Sequence, residues 1–243
     1  IQSLVAILVS INRLGTWTLG YVLPNEFLRW VDFNNMLVLP LISVVASYLL
    51  KKTIEYDAPQ RDSKPHIVWN LVFIVGLYLL AASYGDHEVT NYLHQRFCAT
   101  DTTSNLCRII IFNDDQFSHW IFFTGFVMGN VAILFIQKLF PYQGKVTNTD
   151  FALLALNALF LGAGIFANLG FEEIGLDLYV VALMAMISAY LLWRHGRQPL
   201  FIYYTIAFWL GLIGSLIAQI LRKCFRKAEC PKRLEVCSNL HVG

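Results

Sequence analysis

Charge is scarce in this sequence: Asp, Glu, Lys and Arg make up 14% of its 243 residues, against about one quarter in an ordinary soluble domain. Hydrophobic residues make up 57% and the mean hydropathy is +0.56, more apolar surface than a water-soluble fold of this size can hide. The net charge of +2 is too small for a nucleic-acid partner, which needs a basic face. No Gly-rich phosphate loop is present. His87-Glu88 opens the zinc-protease pattern HExxH, but Asn91 occupies the second histidine position and breaks it. Cys224, Cys230 and Cys237 have neither CxxC spacing nor an accompanying histidine pattern, which argues against a zinc site and leaves free thiols or a tail disulfide open. Every lysine lies at the end of an apolar run or between runs, so no mid-span Schiff base of the retinal type is available. The chain also lacks an internal repeat and any low-complexity segment.

What is present is long apolar runs. Residues 67–85, 117–137, 151–169, 176–193 and 199–221 each approach the ~20 residues that cross a bilayer core as a helix. A shorter run covers 35–50. Residues 1–23 are apolar but interrupted by Asn12 and Arg13, and read as a seventh span or an interfacial helix. A signal peptide fits less well, because the sequence starts at Ile1 without a basic n-region or a small-residue cleavage site, and a native start upstream is expected. The expected fold is all-α, a polytopic transmembrane bundle of six or seven spans over residues 1–221, followed by a basic, Cys-containing tail over 222–243. Gly125 and Gly129 form a GxxxG pair, and Gly162, Gly164, Gly211 and Gly214 thin two other runs, which suits close packing within the chain more than a dimer seam. Trp30, Tyr84, Tyr92, Trp120, Tyr142, Tyr179, Trp193 and Tyr203 stand near run ends, as an interfacial belt requires.

Basic residues set the expected orientation. Lys51, Lys52, Arg61 and Lys64, then Lys138 and Lys145, then Arg194 and Arg197 fall in alternate loops, which the positive-inside rule places in the cytoplasm. The other loops, 95–116 and 169–176, carry Asp101, Asp114, Asp115, Glu172 and Glu173 and are expected to be extracytoplasmic or lumenal. The basic tail contradicts simple alternation, so its side stays open. Cys98 and Cys107 share one outer loop, as a disulfide or as two free thiols.

Ionisable groups at span ends are costly in lipid and point to function. Three clusters fall at the expected outer level. His87, Asn91 and His94 recur at helical spacing and share a face. Asp115 and His119 stand four apart, as do Glu173 and Asp177. A pocket built from them would place Asp115, His119 and Glu173 in catalysis, Glu88, Asn91, His94 and Ser118 against substrate, and His87, His119 and Asp177 (or Glu173) on a divalent metal such as zinc. Ordinary solvated helix ends, with carboxylates favoured by the helix dipole, are the plainer alternative.

The order of these pieces resembles VanZ-like and YjdF-like bacterial inner-membrane proteins. The matching residues are Gly85-Asp86-His87, then Asp115-Gln116-Phe117-Ser118-His119-Trp120 with Gly125-Phe126, then Glu173 to Asp177. Trp120 stands where that family tends to have Phe. The resemblance implies a polytopic helical membrane fold and little about chemistry. A fainter similarity, through Ser83, His87 and Asp115, is to seven-span ceramidase-type hydrolases, which hold zinc; their closing HxxxH is missing, with only His195 in that region.

The expected function is therefore a multi-pass membrane protein with an outward His/carboxylate pocket, a metal-dependent enzyme on a lipid or lipid-linked substrate. An accessory subunit of a membrane complex and a proton- or cation-coupled transporter are the alternatives. Membrane lipids are the expected partners, with a homo-oligomer or a membrane-complex partner also open.

Overall fold

Hydropathy and helical periodicity act locally, and the computed structural model, which describes residues 2–56, 63–169 and 176–229, shows helices over the apolar runs from residue 30 onward; of the first run only Gln2–Leu14 is helical, and residues 15–29 form turns and bends with an isolated bridge between Tyr21 and Arg29. Helix α1 covers Gln2–Leu14, α2 Trp30–Ile54, α3 Lys64–Cys98, α4 Asn105–Leu139, α5 Asn148–Leu169, α6 Leu176–His195 and α7 Pro199–Glu229. Among the described residues, α2 to α7 are each long and apolar enough to cross a membrane, and this is an all-α polytopic membrane protein. Helix α1 has 13 described residues. Its Asn12 is buried rather than exposed, donating to the Val31 carbonyl and to Asn35 Oδ1 on α2.

The outer surfaces carry large apolar side chains, such as Leu71, Ile74 and Tyr78 on α3 and Leu153, Leu156 and Leu159 on α5. In water this would be an aggregation hazard, whereas acyl chains cover it at no cost. Trp30, Trp120, Tyr142, Tyr179 and Trp193 are exposed at helix ends, as an aromatic belt should be. Tyr92 is not: it is buried, with the guanidinium of Arg29 4.9 Å from its ring centre and its hydroxyl donating to the Glu26 carbonyl.

The seam that positions the site is the antiparallel packing of α3 on α4. Trp69 stacks on Phe135, Tyr84 meets Phe122 edge-on, and between them the glycines let the backbones touch. A Cβ on Gly76 would lie 2.5 Å from the Gly129 nitrogen, and one on Gly125 would lie 2.7 Å from the Leu80 nitrogen. The GxxxG pair is thus used inside the chain, against a third glycine. Gly162, Gly211 and Gly214 do the same for the parallel pair α5 and α7, with Ile165 and Phe166 filling the room that the glycines of α7 leave.

Two departures from the sequence reading matter. The polar segment 95–116 is mostly helix, because α3 continues to Cys98 and α4 begins at Asn105, where the Ser104 hydroxyl accepts the Cys107 N–H as a cap. Only 99–104 connects them, and Cys98 and Cys107 are joined by a disulfide across it. Lys51 is likewise not a loop residue. It is buried in the last turn of α2, where it donates to Glu55, which also meets His66 of α3 at 2.7 Å. The Tyr142 N–H donates to Gln198 and the His66 ring meets Phe140 edge-on, so the three basic connections do gather at one end of the bundle. Arg61 lies outside the described residues.

Candidate metal centre

At the other end lie the polar ends of the helices. Three of them contain a π-helical turn there: Asn34–Val38 in α2, His94–Cys98 in α3 and Asn113–Phe117 in α4. Such turns insert one residue into the helical register and rotate the next turns of the helix; they recur at functional sites. Each of these carries a member of one polar cluster: Asn35, His94, and the pair Asp114 and Asp115.

Asp114 is the centre of the cluster. It is 2% exposed. His94 Nδ1 lies 2.8 Å from its Oδ2, and Asn91 Nδ2 reaches the same oxygen at 3.5 Å. His87 Nε2 stands 3.9 Å from Oδ1, which is buried and has no hydrogen-bond partner. The backbone under Asp114 is braced by Ser118, whose hydroxyl donates to the Asp114 carbonyl, while Ser83 of α3 donates to the Ser118 carbonyl. His87, Asn91 and His94 therefore turn one face of α3 towards one carboxylate of α4.

Around this core a polar chain runs back through the bundle. His87 Nδ1 is 3.5 Å from Glu88 Oε1, the other Glu88 oxygen accepts from Asn35 at 3.2 Å, and Asn35 accepts from Asn12 at 2.8 Å. Four helices are so tied through buried amides and acids, which is costly unless each member is satisfied and therefore specifies one arrangement. Asp86 keeps a second buried carboxylate oxygen without a partner.

His94, Asp114 and Asp115 each offer a ligand atom, and these three atoms lie within 4.8 Å of one another. Imidazole with carboxylates suits zinc, iron or manganese. His119 sits beside this group, its ring centre 5.2 Å from that of His87. Its Nδ1 is 2.9 Å from the Asp115 carbonyl, and since a carbonyl only accepts, Nδ1 is the donor.

The structure separates the residues named from the sequence. His87, Glu88, Asn91, His94, Asp115, Ser118 and His119 all belong to this end of the α3–α4 seam. Ser118 is fully buried and serves the Asp114 backbone rather than an open cavity. Asp177 is buried at the start of α6, where its Oδ1 accepts the Leu178 N–H, and it is not in the group around Asp114. Glu173 lies outside the described residues.

Spacing alone does not single out Asp114, Asn12 or Asn35 as site residues. A signal for Asp114 exists all the same: Cys107, Ile110, Asp114 and Ser118 recur at i, i+3, i+7 and i+11, the buried stripe of α4. Asp115, one residue on, is exposed.

Beside the cluster lies an amphipathic cleft of about 380 Å³. Phe27, Met36, Val89 and Leu93 make its apolar wall, and Glu88 and Arg96 its charged edge. Compared with protein-family models, curated proteins and solved structures, the chain matches none.

Proposed function

We propose that this protein is a metal-dependent membrane enzyme whose centre is held by His94, Asp114 and Asp115 and whose substrate is a lipid or lipid-linked molecule. The observation that carries the reading is Asp114: a carboxylate buried to 2% exposure, with one oxygen unpartnered, inside a group of three ligand atoms within 4.8 Å. A buried carboxylate is expensive to ionise unless a cation or donors compensate it. Among the described residues only imidazoles form ion pairs with Asp114, so a metal ion is the natural counter-charge. A bound divalent ion would polarise a phosphoryl or acyl oxygen and lower the pKa of a water beside it.

The substrate class follows from the cleft. Its apolar wall can hold an acyl chain while its charged edge faces a headgroup at the membrane surface, and Glu88 belongs both to the cleft and to the polar chain that reaches His87. The acidic and histidine-bearing end is read as extracytoplasmic or lumenal, supported by the disulfide at that end and the lysine- and arginine-bearing connections at the other.

The test is elemental analysis of detergent-purified protein kept free of chelators, wild type beside Asp114→Asn. Near-stoichiometric zinc, iron or manganese that disappears in the variant is the expected result. A folded wild-type protein without metal ends the metal reading. In that case the 2.8 Å His94–Asp114 contact favours proton handling, and ion flux in liposomes becomes the measurement that decides.

A further inference from the structure

We infer that the amphipathic cleft binds a lipid with a phosphate-bearing headgroup, in which Arg96 holds the phosphate and the acyl chain lies along the apolar wall. The inference rests on the reading of the cleft given above and names the headgroup chemistry of that substrate, but it uses no residue of the metal centre.

Charge selects the headgroup. Asp32, Glu88 and Arg96 are the charged residues that line the cleft. Asp32 is 3% exposed and is neutralised by Arg29, whose Nε and Nη2 donate to its two carboxylate oxygens at 2.7 and 2.8 Å. Glu88 is 4% exposed and accepts from Asn35 in the buried polar chain. Arg96 is exposed, and its two hydrogen bonds go to neutral oxygens, the Tyr92 hydroxyl and the Glu26 carbonyl. Among the described residues no carboxylate forms an ion pair with it. A ligand entering the cleft therefore meets one unpaired charge, and that charge is positive.

Geometry fits that charge to a phosphate. Both hydrogen bonds of Arg96 leave from Nη1, and the rings of Tyr92 and Phe97 each lie 5.6 Å from the centre of the guanidinium. One corner of the fork is thus anchored, while the edge formed by Nε and Nη2 has no partner among the described residues. It is the edge by which Arg29 grips Asp32. Such an edge takes a phosphate through two parallel hydrogen bonds, and an anchored fork loses less freedom in doing so.

The wall identifies what carries the phosphate. Phe27 and Phe97, at 72% and 59% exposure, both line the cleft. Leu93 and Val89 continue the apolar surface down α3, about one and two turns from Arg96 towards the middle of the span. An apolar strip running from a cation into the membrane suits a phosphate with an acyl chain beneath it, and a water-soluble phosphate would leave that strip uncovered. Arg96 and His94 share one π-helical turn, so a headgroup held there lies at the level of the proposed centre.

The experiment is lipid binding to the full chain in uncharged detergent with EDTA, read by native mass spectrometry. Dioleoyl phosphatidate and dioleoylglycerol are the probes, because they differ only in the phosphate. The wild type should bind phosphatidate at least about tenfold more tightly, the range of hydrogen bonds to charged groups. Arg96→Gln should abolish that preference and leave the affinity for dioleoylglycerol unchanged. Arg96→Lys, with the charge but without the fork, should keep only part of it. Lys145→Gln, in a connection at the opposite end, should keep all of it. Gel filtration and melting temperature show that each variant is folded, and Arg96→Lys decides the matter if Arg96→Gln is not. Equal affinity for the two lipids in the wild type overturns the site. So does a preference undiminished in the folded Arg96 variants, or one that falls equally in Lys145→Gln. Oleate or inorganic phosphate bound as tightly as phosphatidate overturns the lipid-phosphate assignment. The chelator keeps metal out, so phosphatidate binding here stands even where elemental analysis finds no metal, and a metal-loaded protein without the preference loses this site alone.

Discussion

His94 and Asp114 are twenty residues apart in the sequence, on different helices, and meet at 2.8 Å. Each sits in a π-helical turn, so the contact depends on two local distortions made at the same level of the bundle. Replacing His94 by Ala leaves a buried carboxylate with only Asn91 and His87 at longer range. The expected loss is about 1–3 kcal/mol, read as a lower melting temperature in detergent without added metal. The double variant His94→Ala/Asp114→Asn should lose less than the sum of the two single changes, because it removes the stranded charge together with its partner. Strict additivity would show that the pair is not coupled.

Gly76 carries the α3–α4 seam. A methyl group there meets backbone atoms of Gly129 and Gly125, which cannot swing away as a side chain could. Gly76→Ala should cost about 1–3 kcal/mol by overpacking and should weaken metal binding at the proposed centre, which it never touches. Gly85→Ala on the same helix meets nothing within 4 Å and is the control, expected to be neutral or slightly stabilising. Equal behaviour of the two variants would refute the role given to the seam.

The disulfide ties the end of α3 to the start of α4 across a separation of nine residues. Chain-entropy arguments give such a closed loop roughly 2.5 kcal/mol of stabilisation. Cys98→Ser/Cys107→Ser should lower the melting temperature accordingly and reduce metal occupancy of the proposed centre, since both helices that carry its residues are released. In intact cells, a thiol reagent that cannot cross the membrane should label the two cysteines only after reduction, if this end faces an oxidising compartment.

Glu55 gives the opposite end a pH dependence. Burial alone pushes its carboxyl up, but the hydrogen bonds from His66 and Lys51 outweigh it and hold the group below the ordinary glutamate value. The folded state therefore binds this proton more weakly than the unfolded chain does. The stabilisation is fully present above the unfolded value, about 4.3, and is lost as pH falls through the lower folded one. Melting temperatures between pH 7 and pH 3 should show a steeper acid decline in the wild type than in Glu55→Gln. The variant itself should start lower at pH 7, because Lys51 is then buried without its carboxylate partner.

Much of the site could be read from residue spacing, and the rest could not, for identifiable reasons. His87, Asn91 and His94 recur at helical spacing in the sequence, and in the structure all three reach towards Asp114. Between Asp114 and its neighbour Asp115, an i, i+4 count from His119 selects the exposed residue, because spacing from one histidine does not say which face of the helix is buried against α3. Asn12 looks like a flaw in an apolar run and is instead the first link of a buried chain to Asn35 and Glu88. Lys51 looks like a loop residue and is buried on Glu55, where His66 of α3 joins it. Nothing in Gly76 alone marks it as the partner of Gly125 and Gly129.

By itself the sequence determined an all-α membrane bundle and the places of six membrane-length helices, leaving the first 23 residues open, because hydrophobicity and helical periodicity act over one or a few turns and need no partner. Only the tertiary structure decided which carboxylate is buried, which histidines surround it and which glycines meet. Those outcomes depend on how two helices cross and on where each gains an extra residue per turn. Both are set by contacts between residues far apart in the chain, and a window of sequence contains only one side of each.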